Sequence, residues 1–161
     1  MTHLKILVIA LLLVSLDLFA EEKSDTAKKP SQKIGTVADG KNAAAVLEDI
    51  FRAYGSGDVN FIRERIDPQM IGFQKLLDEI ALEANQCKQL KIHLLDTQIK
   101  AGPDLVVIQT GWEKRCLELP NFTPRLFAGK STFLMQSSGS GWVVNGISGT
   151  NPLSASLPIS R

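Results

Sequence analysis

Three ionisable side chains in the middle of the chain have the right chemistry for acid–base catalysis. His93, Asp96 and Glu113 could pass a proton between them if they shared a pocket. They fall, however, on the strand positions that carry charged and amide side chains, so we interpret them as part of a solvated sheet face. This face is predicted to comprise Lys91, His93, Asp96, Gln98, Lys100, Gln109, Glu113 and Arg115.

The opposite face of the same strands supplies hydroxyl groups and no carboxylate. Its hydrogen-bonding side chains are Thr97, Thr110 and Ser131. An acid would have to come from a helix end, where Asp58 and Asp67 are the nearest candidates. Both are better explained as helix N-caps, because a short carboxylate satisfies free backbone N–H groups there.

Large apolar side chains on the inner face could line a ligand cavity or fill the core. Aromatic and methionine residues at such positions are more often plain core, and we leave both alternatives open. Together with the inner-face hydroxyls, the pocket candidates are Tyr54, Thr110, Trp112, Ser131, Phe133 and Met135.

The two cysteines lie near the far ends of the first two predicted strands. Cys116 is expected opposite Lys88, one residue from Cys87, so a disulfide and two free thiols both remain open. There is no C-x-x-C pair to support a redox role. With so few cysteines and histidines, a structural zinc site would need carboxylate ligands, and we predict no metal and no cofactor.

The first twenty residues have the organisation of a secretory signal peptide. Lys5 precedes the apolar run Ile6–Leu16, and Ala20 places a small residue just before Glu21. This run covers about 16 Å as a helix, roughly half of a bilayer core. We expect cleavage and export to the periplasm or the medium, with a retained membrane anchor as the alternative.

Composition divides the remaining chain into one domain between two polar segments. Residues 21–40 are lysine-rich and predict a disordered linker, and residues 153–161 predict a flexible Ser/Pro-rich tail. Residues 41–152 are long enough for one folded domain. The net charge of +1 gives no strong field, so we expect neither nucleic acid nor an acidic membrane as a partner.

The first half of the domain has the periodicity of helices. Gly55–Gly57 is expected to end the first helix, Asp58 to cap a short second one, and Asp67-Pro68 to start a third. The buried stripe of the first helix is predicted to contain Leu47, Ile50, Phe51 and Tyr54.

From Gln89 onward the periodicity changes to two, which predicts strands joined by short turns in an antiparallel meander. The segments are Gln89–Lys100, Leu105–Leu119, Arg125–Gln136 and Gly141–Gly149. Pairing the first two sets Ile99 near Val106, with a β-bulge at Leu94–Leu95. Helices followed by strands predict an α+β fold with the helices on one sheet face.

Three stretches within residues 41–152 carry a family resemblance. Tyr54–Asp58 ends the first helix, Ile66–Pro68 closes the second, and the last hairpin joins Gly129–Leu134 to Gly141–Gly149. Together they resemble the nuclear transport factor 2-like superfamily, with its cystatin-like cone, in an exported bacterial-type form. The resemblance implies a curved sheet of about four strands, a cavity against the helices and frequent dimers across the sheet.

These observations favour an exported, non-catalytic module that binds a small apolar ligand in the cone, or a protein partner or second copy on the outer sheet face. One alternative is an enzyme of the isomerase or dehydratase kind, which the same fold supports. It would need an inward-turned acid such as Asp58, Asp67, Asp78 or Glu79. A third candidate is an envelope-assembly component held by an uncleaved Ile6–Leu16 segment.

Overall fold

The computed structural model describes residues 36–154 of the chain. The predicted signal peptide, most of the predicted linker and the tail beyond Ser154 lie outside the described residues. Helices precede strands within this range, as predicted for an α+β fold. The elements are α1 (Val37–Ser56), α2 (Val59–Glu64), α3 (Phe73–Gln86), β1 (Cys87–Ala101), β2 (Leu105–Glu118), β3 (Thr123–Ser138) and β4 (Gly141–Gly149).

Helix α1 begins earlier than its composition suggested. Thr36 accepts a hydrogen bond from the Asp39 backbone N–H at 3.2 Å, and the Asp39 carboxylate accepts one from the Thr36 N–H at 2.8 Å. This reciprocal capping box starts the helix at Val37. The predicted linker over residues 21–40 is therefore wrong for residues 36–40, because a capping pair needs no large apolar side chain.

Helix α2 begins as predicted, whereas α3 does not. Asp67 was expected to start α3, but this helix begins at Phe73, after Gly72 with a left-handed φ of 81°. The Asp67 side chain instead accepts a hydrogen bond from the Gln69 N–H at 2.8 Å, which forms a turn. Asp58 caps α2 by accepting a hydrogen bond from the Phe61 N–H at 3.0 Å.

The strands form one antiparallel sheet in the order β1-β2-β3-β4, which confirms the predicted meander. The register between β1 and β2 differs from the prediction, because Ile99 lies opposite Ile108, two residues further along β2 than expected. Irregularities near Gln89 and Asp96, which have φ angles of 54° and 45°, replace the single bulge predicted at Leu94–Leu95.

The hydrophobic core lies between the helices and the inner face of the sheet. Phe51 of α1 packs edge to face on Phe133 of β3, with ring centroids 5.7 Å apart. Leu153 is fully buried in the same core, so the predicted start of a flexible tail at this residue is wrong. A single leucine within a Ser/Pro-rich stretch gave no periodic signal of this burial.

A disulfide joins Cys87 at the start of β1 to Cys116 in β2, with a Cα–Cα distance of 5.6 Å. Of the two alternatives left open by the sequence, a disulfide or two free thiols, the structure has the disulfide. None of the helices within residues 36–154 has both the length and the apolar character needed to cross a membrane.

Candidate functional site

A charged pair lies inside the hydrophobic core. Lys114 projects from β2 and Glu83 from α3, and the Lys114 Nζ atom is 2.8 Å from Oε1 and 3.0 Å from Oε2 of Glu83. The side chain of Lys114 is fully buried and that of Glu83 is 4% exposed. Tyr54 of α1 donates its hydroxyl hydrogen bond to Glu83 Oε2, so three separate elements converge on one carboxylate.

This cluster was not predicted from the sequence, although a signal for it is present. Side chains alternate between the two faces of a strand, so Lys114 lies on the same inward face of β2 as Trp112, two residues earlier. Glu83 lies three residues after Ile80 and therefore on the buried face of α3. Oppositely charged residues at buried positions of α3 and β2 predict a buried ion pair between the two elements. The unit formed by Tyr54, Glu83 and Lys114 is named the buried triad below.

Burial controls the protonation of the buried triad. Desolvation lowers the pKa of Lys114, and the nearby Glu83 carboxylate opposes this shift. Desolvation raises the pKa of Tyr54 above its usual range, and the negative charge of Glu83 raises it further. The phenol of Tyr54 therefore keeps its proton and donates to the carboxylate. The Lys114 Nζ also lies 5.1 Å from the centroid of the Phe127 ring.

The raised pKa of Tyr54 predicts a loss of stability at alkaline pH. An unfolded tyrosine releases its proton above about pH 10, whereas folded Tyr54 does not. Stability should therefore fall by about 1.4 kcal/mol per pH unit above that value. The lowered pKa of Lys114 makes stability rise with pH instead. This effect ends at the pKa of an unfolded lysine, about 10.4. Denaturant unfolding of wild type and Tyr54→Phe across this range measures the difference.

The same prediction has a direct optical test, because the chain contains one tyrosine. Tyrosinate absorbance in the near ultraviolet should appear only when the protein unfolds, and the Tyr54→Phe variant should lack the associated slope in stability. Ordinary tyrosine titration in the folded protein would contradict the burial of this hydroxyl.

The buried triad is almost completely shielded from solvent, with Tyr54 1% and Glu83 3% exposed as whole residues. The remaining hydrogen of the Lys114 ammonium is donated to the Ser154 carbonyl oxygen at 2.8 Å. Across residues 36–154, no buried side-chain nitrogen or oxygen lacks a hydrogen-bond partner. A buried cluster whose hydrogen bonds are all satisfied stabilises charges within the core and offers no free acid or base in the described state.

The predicted pocket residues are packed in the core or hydrogen-bonded to the backbone. Tyr54, Trp112, Phe133 and Met135 are each at most 1% exposed. The Trp112 indole donates hydrogen bonds to Ser131 Oγ at 2.8 Å and to the Thr150 carbonyl at 3.0 Å. Their role in binding a ligand stays a prediction.

The remaining inner-face hydroxyls bond to the sheet itself. Thr110 donates to the Leu95 carbonyl at 2.9 Å and lies 3.0 Å from Thr97 Oγ1. Thr110 and Ser131 also border a polar cleft of about 600 Å³ beside Gln109 and Lys130.

The acids considered from sequence stay outside the core. Asp78 is exposed and accepts a hydrogen bond from Gln74 at 2.8 Å, and Glu79 lies 3.7 Å from Lys75. With Asp58 acting as a cap and Asp67 in a turn, Glu83 is the acid that turns inward, and it is already neutralised by Lys114.

The surface set of His93, Asp96 and Glu113 is on the solvated face, as predicted. His93 lies opposite Glu113 in the ladder, and Glu113 pairs with Arg115 at 2.9 Å. In the part of the chain that the structure describes, no group of three His, Cys, Asp or Glu side chains is placed to hold a metal ion.

An open groove of about 660 Å³ runs between α1 and the edge of β1 that pairs with no other strand within residues 36–154. One wall is a single stripe of α1, and the other is formed by the consecutive residues 90–94 of β1. Because consecutive residues point to opposite faces of a strand, a wall made from all of them is the backbone edge. The α1 stripe comprises Glu48, Phe51, Arg52, Gly55 and Ser56.

The two edges of the sheet are protected to different extents. At β4, the Val144 N–H donates to the Arg65 carbonyl at 2.9 Å, and its own carbonyl accepts from Asp67 at 2.8 Å. At β1, helix α1 approaches the strand edge closely at Gly55. A Cβ atom at this position would lie only 2.6 Å from the Leu90 carbonyl oxygen. Beyond this contact the edge of β1 faces the groove.

No family model matches the chain, and no curated protein matches it in sequence. Solved structures nevertheless share its architecture, and they show that the chain has the nuclear transport factor 2-like fold. This confirms the fold that the sequence resemblance implied. At sequence identities near 10%, the similarity supports a shared fold and no shared function.

Three solved structures illustrate this similarity. A nuclear transport factor 2-like superfamily protein of Salmonella enterica has a TM-score of 0.63 at 9% identity, covering 77% of this chain and 98% of its own. A Streptomyces avermitilis protein, provisionally described as a dehydratase of this family, has a TM-score of 0.61 at 12% identity, covering 68% and 93%. The association domain of C. elegans CaMKII has a TM-score of 0.57 at 13% identity, covering 71% and 96%.

Proposed function

We propose that this chain is an exported, non-catalytic binding module that holds an extended segment of a partner protein in the groove between α1 and β1. The single observation that carries the proposal is the composition of the groove. Its strand wall is a backbone edge with no strand partner among the described residues, and its helix wall is one continuous stripe. An edge of this kind pairs with an added strand through main-chain hydrogen bonds.

The dimensions and chemistry of the groove fit a short extended peptide. Residues 48–56 of α1 rise by about 12 Å, and residues 90–94 of β1 extend over about 13 Å. Four residues of an added strand fill this length. Ile92 and Leu94 are half-buried beside buried Phe51, so apolar side chains at alternate positions of the partner would find apolar contacts.

The saturated core supports a binding role over a catalytic one. The acid–base groups of the core neutralise one another, and His93 and Asp96 on the surface border two different open clefts. Neighbours in fold include both an association domain and a protein described as a dehydratase. The fold therefore permits either function, and the proposal depends on the groove.

Export follows from the N-terminal signal pattern and is supported by the disulfide, because disulfides persist in oxidising compartments. N-terminal sequencing of the protein from its producing cells tests this part. We expect the mature chain to begin at Glu21. A retained Ile6–Leu16 segment in the membrane fraction would favour the anchored alternative.

Peptide selection tests the groove. A library of random linear peptides displayed on phage is selected on the purified disulfide-bonded protein. We expect selected sequences to alternate apolar and polar residues and to bind in the micromolar range. Ser56→Trp, which fills the groove from α1, should weaken binding by about tenfold or more, equivalent to roughly 1.4 kcal/mol.

The matched control is Asn60→Trp, which adds the same side chain at an exposed position on α2 outside the groove. It should leave the affinity unchanged. Equal loss of binding in both variants, or selected peptides that bind Ser56→Trp as well as wild type, would exclude the groove as the binding surface.

A further inference from the structure

The segment that follows β4 packs a side chain into the core and directs carbonyl groups towards β2 and β3. We name Thr150–Ser154 the stopper segment. The Thr150 N–H donates to the Lys130 carbonyl at 2.9 Å, and the Leu153 N–H donates to Asn151 Oδ1 at 2.9 Å. The first bond joins the segment to β3 and the second forms a local turn, and the Leu153 side chain is fully buried in the core.

The stopper segment is held by residues that the sequence analysis had selected as pocket candidates. Trp112 and Ser131 both donate hydrogen bonds to the Thr150 carbonyl oxygen. Lys114 of the buried triad donates to the Ser154 carbonyl oxygen at 2.8 Å. The Thr150 and Ser154 carbonyls, which flank Leu153 in the sequence, therefore accept hydrogen bonds from three side chains of the sheet.

We infer that the stopper segment is a displaceable internal ligand, and that the position it fills is a binding site for a short, uncharged peptide with a branched aliphatic side chain. The donors lie on β2 and β3, which pair with each other independently of the stopper segment. Departure of the stopper segment would leave these donors without the Thr150 and Ser154 carbonyls, and a ligand carbonyl would be favoured in their place because an unpaired buried donor is costly. This site shares no residue with the groove between α1 and β1, so it goes beyond the function proposed above.

The charge balance of the site selects an uncharged ligand. Glu83 accepts both of the other Lys114 hydrogen bonds, so the pair carries no net charge. A ligand carboxylate would add an uncompensated charge to a dry site, whereas a peptide carbonyl reproduces the contact that Ser154 makes. The leucine-sized space between the donors favours an aliphatic group over a polar one.

A competition experiment with the full chain tests the inference. The probe is a synthetic peptide of residues 150–154 with an acetylated N-terminus and an amidated C-terminus. The stopper segment of the wild type competes at a high local concentration, so the probe should bind wild type weakly. Leu153→Asp expels the stopper segment and should bind the probe at least about tenfold more tightly. Calorimetric titration measures both affinities.

Two control peptides define specificity. A probe with aspartate in place of leucine should not bind, and a probe with a free C-terminal carboxylate should bind less well than the amide. Equal affinity of wild type and folded Leu153→Asp for the probe would overturn the inference.

Hydrogen exchange of the wild type tests displaceability even if Leu153→Asp fails to fold. The amides of Thr150 and Leu153 should exchange at least about tenfold faster than the amides of β2 and β3, because they open locally. Exchange of these amides at the rate of global unfolding would overturn the inference, because the stopper segment would then be inseparable from the core.

Discussion

Replacing Lys114 by methionine is expected to lower the free energy of unfolding by about 3–5 kcal/mol. The substitution keeps an unbranched side chain of similar length on β2 but removes the ammonium group. Glu83, which is 4% exposed, would then be buried without its counter-ion. The Ser154 carbonyl would also lose its donor. Urea unfolding at neutral pH measures the loss.

Two further variants separate charge imbalance from loss of packing. The triple variant Tyr54→Phe/Glu83→Met/Lys114→Met removes every polar group of the buried triad and should recover at least about 2 kcal/mol relative to Lys114→Met, because a buried ion pair is often replaceable by apolar groups. Arg115→Met is the matched control on the neighbouring strand position. It breaks an exposed pair with Glu113 and should cost less than about 1 kcal/mol.

The account is contradicted if the triple variant is as unstable as Lys114→Met, because the defect would then be one of shape. It is equally contradicted if Lys114→Met and Arg115→Met have the same small effect. The second result would mean that Lys114 reaches water in solution.

Removing the disulfide with Cys87→Ala/Cys116→Ala is expected to cost about 3.5 kcal/mol, which follows from the loop closed by cysteines 29 residues apart. The closed loop contains most of β1 and β2, so the crosslink restricts the unfolded chain. Thermal and denaturant unfolding of the oxidised wild type and the double variant measure the difference.

Reduction of the wild type provides the control, because it opens the same loop without changing the sequence. Reduced wild type and the double variant should agree within about 1 kcal/mol, since Cys116 contributes only a small buried side chain. A double variant as stable as the oxidised protein would show that the crosslink does not form in solution.

Local periodicity predicted most of the fold. Leu47, Ile50 and Tyr54 specify the buried side of α1, and the change to a period of two marks β1. Short turns then leave an antiparallel meander as the simplest arrangement. The exact strand register was not predictable, because the irregularities at Gln89 and Asp96 depend on backbone angles that no side-chain pattern encodes.

The candidate sites were harder to predict because they depend on contacts between distant segments. Lys114 and Glu83 lie at buried positions of their own elements, but only the packing of α3 on β2 brings them together. Leu153 is buried by contacts that its neighbours in sequence do not indicate. Trp112 and Ser131 were selected from the sequence as pocket candidates, and their hydrogen bonds to the Thr150 carbonyl of the same chain could be found only in the structure.

The groove between α1 and the edge of β1 is most directly tested by an NMR titration of the isotope-labelled protein with a selected peptide. The account predicts that backbone amide shifts change in residues 90–94 of β1 and along residues 48–56 of α1, with little change in Thr150–Ser154. Changes confined to Thr150–Ser154, or to the outer sheet face around Gln109 and Lys130, would contradict it, because the partner would then be bound at the cone or across the sheet.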